Sequence, residues 1–467
     1  MSVGAITKNK TKMIQMAITF LIPIAIALIP PQGVFTYQMK MAIAITLWML
    51  LWSAFDLSNL AVPAIIWPAL LVILQVVEPA VAFGSWIGTT MYGAIGCMLL
   101  ANVLNGCGLL QRVAYWVAVK CGGSFNKSVY AIFFATFAVS IVTFASGSVV
   151  CAVLSFSFVA AMGLIKKKEG AIIMMAGMLG ASTVRMFLYY PVTMGPLMQS
   201  VRAVEPEFTV NFTELFKFNW PVLIFCLLFI WFMTFIGKTK HSQLGEVGDS
   251  KQYFQKKLDE LGPMTGKEKK ALVGVLVILV WIITNPLHGL DCMYPFIFVP
   301  FVLCMPGIDV GSSKEIEDVP WSTILFFGSC LAIGSVCGAV GITDLIASVA
   351  TPMLSGLGTV GLLVGVLIFG VLANFAMTPV AMLAGFCGML YSIAVNLGVD
   401  PLAVIFTFNH STDMVFLPYE YLTFLVFYAL GGMTMGQFFK YQALKNIVYM
   451  IFFVAIMIPY WYLVGLI

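Results

Sequence analysis

Charge is the property that this sequence has least of. Only 9% of its 467 residues are Asp, Glu, Lys or Arg, whereas about 25% is usual in soluble domains. No Lys or Arg occurs between Glu315 and Phe439. This composition excludes a water-soluble globule, and it gives no support to nucleic-acid binding.

Motifs for enzymatic or metal chemistry are also lacking. The ten cysteines lie singly and form no C-x-x-C pair, so the sequence indicates neither a disulfide framework nor a zinc site. It contains no P-loop, no H-E-x-x-H motif and no G-x-S-x-G motif. We therefore expect a protein that is not an enzyme and has no resident cofactor.

Long apolar runs, by contrast, are abundant. Hydrophobic residues make up 61% of the chain, and uncharged stretches of about 20 residues, the length of a membrane-spanning helix, recur throughout. These stretches are apolar on every side, whereas the strands of a transmembrane barrel alternate apolar and polar positions. The sequence therefore predicts an all-α polytopic membrane protein with about 11 spans in the lipid bilayer. Clear examples are residues 13–39, 57–77, 218–237, 271–290 and 446–467.

Basic residues near the ends of these runs predict the orientation of the chain. Lys and Arg collect on the cytoplasmic side, and counting crossings from a cytoplasmic N-terminus places Arg112 inside and the C-terminus in the extracytoplasmic space. The segment 238–270, with eight lysines, becomes a solvated cytoplasmic linker with a short amphipathic helix, and it separates halves 1–237 and 271–467. With no cleavage site or organelle-targeting signal, the chain fits a bacterial inner (plasma) membrane.

Two uncharged runs are broken near their midpoints by small and turn-forming residues. Residues 128–165 contain Ser-Gly-Ser at 146–148, and residues 357–398 contain Met-Thr-Pro at 377–379. Each run could also form two full spans joined by a short external loop, and charge alone does not decide. We predict two re-entrant helical hairpins, because transporters place such breaks inside the membrane, where the backbone lines a cavity.

A second pair of similar segments follows the hairpins. The pattern Ser-Thr-x-x-x-Phe-Leu-x-Tyr begins at Ser182 and again at Ser411, within the predicted broken helices 171–201 and 401–439. Its two copies, like the two hairpin tips, lie about 230 residues apart. Because the first hairpin has basic flanks and the second has none, the two halves should face opposite ways. Inverted repeats of this kind are typical of secondary transporters, whose binding site lies where the repeats meet.

Arg185 lies in the middle of an otherwise uncharged span. A central Arg costs about 2.5–3.5 kcal/mol on insertion scales, so it needs a cavity, a carboxylate partner or an anionic substrate. Its planar fork suits a carboxylate, phosphate or sulfate. The competing interpretation is an internal ion pair with Asp413 or Glu420, and the two interpretations can apply in different transport states.

These features together resemble the divalent anion/sodium symporter family of the ion-transporter superfamily. The resemblance includes the hairpin in each half, the segment Glu-Leu-Gly-Pro-Met-Thr at 260–265 and the Gly-Gln turn at 436–437. It implies a homodimer in which a transport domain moves against a fixed scaffold like an elevator. In that family Ser-Asn-Thr follows Phe-x at each hairpin tip, and both tips contact sodium and a carboxylate substrate.

The chain departs from this family pattern at the tips themselves. Phe144-Ala145 precedes Ser-Gly-Ser and Phe375-Ala376 precedes Met-Thr-Pro, so the register is kept but neither asparagine is present. Arg185 could supply permanently the positive charge that bound sodium provides elsewhere in the family. We expect such a replacement to favour anion exchange or uniport.

The polar residues at the four breaks are the predicted ligands. For a single Ser or Thr, a hydrogen bond to a carbonyl one turn back is the common alternative, and for His410 the alternative is a paired interior side chain. Predicted substrate ligands are Ser146, Gly147, Ser148, Arg185, Thr378, Pro379, Ser411 and Thr412. Predicted sodium ligands are Ser146, Gly147, Ser182, Thr183, Thr378 and Ser411. Predicted ion-pair or proton sites are Asp413, Glu420 and His410.

The sequence thus predicts a secondary active transporter of small organic anions of the di- or tricarboxylate type. We expect elevator-type alternating access, driven either by sodium or by exchange of one anion for another. One alternative is a proton-coupled or cation antiporter that uses the three ionisable residues above. An alternative of another class is a channel or a non-transporting membrane receptor, against which the two internal breaks in each half argue.

Overall fold

The computed structural model describes residues 3–31, 35–55, 57–121, 124–144, 146–237, 250–354, 356–375 and 377–467. Helices make up most of this part of the chain, which confirms the all-α prediction. Ala145 and Ala376 at the predicted tips, and residues 238–249 of the predicted linker, lie outside the described residues.

The described helices of residues 1–237 run from an amphipathic N-terminal helix to a strongly apolar one. They are α1 (Val3–Leu28), α2 (Tyr37–Ala54), α3 (Ala61–Ile73), α4 (Pro79–Phe83), α5 (Thr89–Gly106), α6 (Leu109–Cys121), α7 (Phe125–Val142), α8 (Ser148–Ala161), α9 (Lys168–Thr183), α10 (Pro191–Arg202), α11 (Phe212–Asn219) and α12 (Pro221–Ile236).

The remaining described helices begin in the polar segment between the halves. They are α13 (Ser250–Glu260), α14 (Gly266–Ile283), α15 (Asn285–His288), α16 (Tyr294–Leu303), α17 (Ser313–Glu317), α18 (Trp321–Ala339), α19 (Ile342–Leu354), α20 (Gly358–Asn374), α21 (Pro379–Asn396), α22 (Pro401–Ser411), α23 (Leu422–Ala429), α24 (Met435–Phe452) and α25 (Ile458–Val464).

Within the described residues, seven helical stretches are long and apolar enough to cross a membrane. Shorter apolar helices accompany them, so the total of about 11 spans stays a prediction. The most enclosed stretch is Lys168–Arg202, because 94% of its apolar window is buried inside the protein. The other six are Pro79–Gly106, Phe125–Val142, Phe212–Ile236, Trp321–Ala339, Pro379–Asn396 and Met435–Val464.

The same order of elements occurs twice, and the two copies pack against each other. In the first copy α7 and α8, separated by a short break, pack on α9, and in the second copy α20 and α21 pack on α22. Each copy also reaches the other, because α10 packs on α21 and α23 packs on α8. The broken helices therefore lie at the interface of the two halves.

Apolar side chains form two cores. The smaller core joins α2, α3 and part of α18, with Trp48, Trp67 and Phe326 among its members, and Ala381 of α21 completes it. The larger core contains the hairpin and broken-helix elements, α5, α12 and α24.

Part of the polar segment between the halves is docked rather than solvated. The amphipathic helix expected near 251–261 is present as α13, but Phe254 is fully buried and its ring lies 6.2 Å from that of Tyr115 and 5.1 Å from that of Phe158. Arg112 of α6 donates to the carbonyls of Leu261, Gly262 and Pro263. Aromatic packing and these hydrogen bonds together hold this short polar helix against the protein, which composition alone does not indicate.

Candidate functional site

Arg185 owes its position to the break between α9 and α10. After Thr183 a single 3-10 turn, Val184–Met186, follows, and α10 begins at Pro191. Proline suits the first turn of a helix because it has no N–H to leave unpaired, and it forces the preceding residue into an extended conformation. Tyr190 is accordingly extended, with φ −110° and ψ 110°. The chain turns around Arg185, whose side chain is fully buried.

The second broken helix is built in the same way. After α22 ends at Ser411, the chain is extended at Leu417, with φ −122° and ψ 147°, and Pro418 opens a 3-10 turn before α23. In both halves the Ser-Thr pair of the repeated pattern lies at the end of the first helical piece. The sequence pattern thus marks the same structural feature twice.

Arg185 joins the two halves. Its Nη1 donates to Thr412 Oγ1 at 2.9 Å, and its Nη2 lies 3.2 Å from Asp413 Oδ1. The guanidinium lies over the ring of Tyr421, 4.8 Å from the ring centroid, which is a cation–π contact. The structure therefore contains the ion pair with Asp413 that the sequence offered as one interpretation of this arginine.

Glu420, the other carboxylate considered as a partner for Arg185, does not pair with it. Its side chain is almost fully buried and accepts hydrogen bonds from the backbone N–H groups of Phe416 (3.1 Å) and Leu417 (2.9 Å). The expectation of an Arg185–Glu420 pair is therefore wrong. The carboxylate is used to close the turn that precedes α23.

Asp413 has a second cationic partner, Lys445, which sequence reasoning missed. Lys445 Nζ lies 3.1 Å from Asp413 Oδ2 and also donates to the main-chain oxygen of Asp413. The lysine is 2% exposed and belongs to the middle of α24. By sequence alone, a lysine near the end of an apolar run indicates only the cytoplasmic side. The available signal was that Lys445 is the single charged residue after Lys440.

His410 is paired on both ring nitrogens. Nε2 lies 2.7 Å from Asn219 Oδ1, and Nδ1 lies 2.8 Å from the hydroxyl of Tyr449. Asn219 donates its amide N–H to the carbonyl of Leu215, which turns its oxygen toward the histidine. The Asn219 oxygen accepts from Nε2–H, and the Tyr449 hydroxyl can donate to Nδ1, so a neutral ring has both nitrogens satisfied. His410 thus has the geometry of a satisfied interior histidine.

The first hairpin break is closed by Thr143. Its hydroxyl accepts a hydrogen bond from the N–H of Gly147 at 2.9 Å, and α8 begins directly afterwards at Ser148. Ser146 Oγ lies 3.0 Å from Cys97 Sγ of α5. The first break therefore contacts α5 through Ser146.

The second hairpin break is closed by Thr378, which caps α21. Its hydroxyl accepts from the N–H of Ala381 at 3.5 Å, and Pro379 is the first residue of the helix. The ring of Phe375 stacks on Phe416, with 5.6 Å between centroids. This tip therefore contacts the second broken helix directly.

Three other hydroxyls that the sequence predicts as ligands donate to carbonyl oxygens three or four residues earlier in the chain. Ser411 Oγ donates to the carbonyl of Phe408 (2.6 Å) and Thr412 Oγ1 to that of Asn409 (2.7 Å), as the alternative of bonding within the helix predicts. Thr183 Oγ1 likewise bonds to the carbonyl of Leu179.

Five buried polar atoms at the breaks have no partner among the described residues. They are Ser182 Oγ, Arg185 Nε, Tyr189 Oη, Asn374 Oδ1 and Asn409 Oδ1. An unpaired buried polar atom costs about 1–3 kcal/mol, so such atoms point to a ligand or to water. Asn374 also ties the second hairpin to the second break, because its Nδ2 donates to the carbonyl of Ser411 at 2.8 Å.

A small cavity lies beside the ion-paired cluster. Its volume of about 20 Å³ is enough for one water molecule. In the described part of the chain, no group of three or more His, Cys, Asp and Glu side chains could hold a metal ion. The polar or sulfur-bearing side chains that line the cavity are Thr183, Met186, Cys226, His410, Asp413, Met414, Lys445 and Tyr449.

Comparison with known sequences points to membrane transport. The sequence model of one family, described as the sodium:sulfate symporter transmembrane region, matches residues 10–467. The protein named Dicarboxylate transporter 1, chloroplastic, of Spinacia oleracea is 24% identical over 226 residues, which are 47% of this chain and 39% of the spinach protein. The match thus spans well under two thirds of the spinach protein.

Two solved structures have a similar fold. MtrF of Neisseria gonorrhoeae, described as illuminating a class of antimetabolite efflux pumps, has a TM-score of 0.51 at 13% identity, over 88% of this chain and 97% of that one. The YdaH transporter of Alcanivorax borkumensis has a TM-score of 0.51 at 14% identity, over 82% of this chain and 86% of that one. At such identities the likeness concerns the fold alone.

Proposed function

Since the chain belongs to the sodium:sulfate symporter family, we propose that it is a secondary active transporter that exchanges small organic anions of the di- or tricarboxylate class. Family membership also makes the chain an integral membrane protein and not an enzyme. The naming of the spinach relative as a dicarboxylate transporter supports this substrate class.

The observation that carries the proposal is the buried guanidinium of Arg185. It lies at the contact of the two halves, and its Nε has no partner among the described residues. A planar donor that is already desolvated gains most from a carboxylate, which accepts two parallel hydrogen bonds. We assign Arg185 to one carboxylate of the substrate, with Ser182 as the neighbouring donor one turn back.

A second carboxylate needs donors on the opposite side of the substrate. The N-terminal turns of α8 and α21 begin at Ser148 and Pro379, and helix N-termini favour anions. We assign the second carboxylate to these two tips. A monocarboxylate would satisfy only one side of such a site and should bind less tightly.

For coupling we propose exchange without sodium. Arg185 is a permanently charged cation and is fully buried, and such a fixed positive charge can stabilise a bound anion as a bound sodium ion would. A proton or cation antiporter has less support, because His410 is bonded on both nitrogens and Glu420 is held by two backbone N–H groups.

For the motion we propose an elevator. Most of the hairpin and broken-helix residues lie in the larger core, whereas the smaller core is built mainly from α2, α3 and part of α18 and includes Ala381 of α21. We assign the larger core to the moving part and the smaller core to the scaffold, and we propose a homodimer, as the family resemblance implies.

The test is uptake into proteoliposomes from a panel of succinate, citrate, sulfate and acetate, with and without a sodium gradient. We expect labelled succinate or citrate to enter vesicles preloaded with the same unlabelled anion, without sodium, and acetate to be excluded. Sodium-dependent uptake into empty vesicles would indicate that the protein is a sodium symporter and not an exchanger. Absence of uptake for every anion, with folded protein in the vesicles, would overturn the proposal.

A further inference from the structure

Asp413 is shared between two cations that come from different elements. Its Oδ1 lies 3.2 Å from Arg185 Nη2, and its Oδ2 lies 3.1 Å from Lys445 Nζ. Lys445 makes a second bond to the main-chain oxygen of the same aspartate, and its ammonium lies 5.3 Å from the ring centroid of Phe424. Lys445 therefore makes two bonds to Asp413, whereas Arg185 makes one.

The second cation matters because, in the proposed function, Arg185 must pair with the substrate as well as with Asp413. To bind a substrate carboxylate fully, Arg185 must loosen its bond to Asp413. The Asp413 side chain is 18% exposed, and a largely buried carboxylate that loses its only cation destabilises the fold. If Arg185 were the sole partner of Asp413, the substrate would have to compete with that carboxylate for the arginine.

Among the described residues, Arg185 and Lys445 are the only cations within ion-pair distance of Asp413. Glu420 bonds to the backbone, and His410 bonds to Asn219 and Tyr449. The carboxylate of Asp413 therefore depends on these two cations alone.

We propose that Lys445 is a positioning residue that keeps Asp413 paired and thereby frees Arg185 for the anion. This inference rests on the proposed function. In the structure Arg185 is in the resting arrangement, with one donor on Asp413, one on Thr412 and Nε unpartnered. When the anion arrives, Arg185 turns toward it and Lys445 retains Asp413.

The test is the KM for succinate exchange in proteoliposomes, measured for Lys445→Met, Lys445→Arg, Asp413→Asn and the double variant Lys445→Met with Asp413→Asn. In Lys445→Met the unmasked aspartate holds Arg185, so KM should rise about tenfold or more. The double variant removes the competing carboxylate too, and its KM should return to near the wild-type value. Lys445→Arg should keep the wild-type KM.

The outcomes separate this inference from the proposed function. An unchanged KM in Lys445→Met, or a double variant no better than the single one, would overturn the role of Lys445. If Lys445→Met does not fold, Asp413→Asn decides, because it should leave KM unchanged or lower it, and a raised KM would contradict the inference. Wild-type protein that exchanges no anion would instead overturn the proposed function.

Discussion

The ion pair between Arg112 of α6 and Glu268 at the start of α14 joins the segment that connects the two halves to the first half. Glu268 Oε1 lies 2.6 Å from Arg112 Nε, and its Oε2 also accepts the N–H of Thr265 at 2.6 Å. Burial would raise the pKa of the Glu268 carboxyl, but the hydrogen bonds from Arg112 and Thr265 outweigh it and hold the pKa below its usual value. The ionised carboxylate therefore stabilises the folded chain.

The first prediction concerns Glu268→Gln. A hydrogen bond to a charged group contributes about 1.5–3 kcal/mol, so the variant should unfold at a lower temperature than wild type at pH 7. A lowered folded pKa means that this stability is present above the unfolded pKa of about 4.3 and is lost as pH falls through the folded value. The difference between the two proteins should therefore shrink below pH 4.

Thermal unfolding in detergent at neutral and acidic pH measures this difference. Glu260→Gln is the matched control, because its partner Lys257 is exposed and such a pair contributes little. Equal unfolding temperatures for Glu268→Gln and Glu260→Gln at pH 7 would refute the role of the buried pair.

For single residues, the sequence predicts that Arg185 and Asp413 belong to the site, but it does not predict this of Lys445. An arginine inside an uncharged span is costly wherever it lies, so its need for a partner is visible in the sequence. A lysine near the end of a span usually marks the cytoplasmic side. Only the position of α24 beside the second break brings Lys445 to Asp413, 32 residues away in the chain.

Among the helices, α20 approaches α22 more closely than any side chain larger than hydrogen would allow. A Cβ built on Gly370 would lie 1.7 Å from Ser411 Oγ and 2.5 Å from Ser411 Cβ. Gly365, five residues earlier in the same helix, faces open space. Small residues let helices in membranes pack backbone to backbone, and here the contact sets the position of Ser411.

The second prediction compares Gly370→Ala with Gly365→Ala. Overpacking costs about 1–3 kcal/mol, so Gly370→Ala should lower both thermal stability and anion exchange. Gly365→Ala should be neutral or more stable by up to about 1 kcal/mol, because alanine favours the helix. Unfolding temperatures and exchange rates of the two variants measure this contrast, and equal effects would contradict the close packing.

The sequence predicts the breaks between helices better than the docking of helices. Small residues, prolines and the repeated Ser-Thr pattern are local signals, and the ends of α9 and α22 follow them. Docking depends on partners far away in the chain. Phe254 is buried because Tyr115 of α6 and Phe158 of α8 lie beside it. The sequence near residue 254 does not indicate these distant partners.

In the whole molecule, the candidate site belongs to neither half alone. Arg185 comes from the first half, whereas Thr412 and Asp413 come from the second. The offset of about 230 residues predicts that equivalent breaks exist, and the general architecture of inverted repeats predicts that they meet. The number of spans and the depth of each break need the bilayer itself, and they stay predictions.

The proposed function depends on contact between Arg185 and the transported anion. Its most direct test is exchange of labelled succinate in proteoliposomes containing wild-type protein, Arg185→Lys or Arg185→Gln, with size-exclusion profiles as the check of folding. Loss of a bidentate charged contact should lower kcat/KM by about 30-fold or more in Arg185→Gln, and Arg185→Lys should recover part of it. A folded Arg185→Gln protein that exchanges succinate with the wild-type KM and rate would contradict the account.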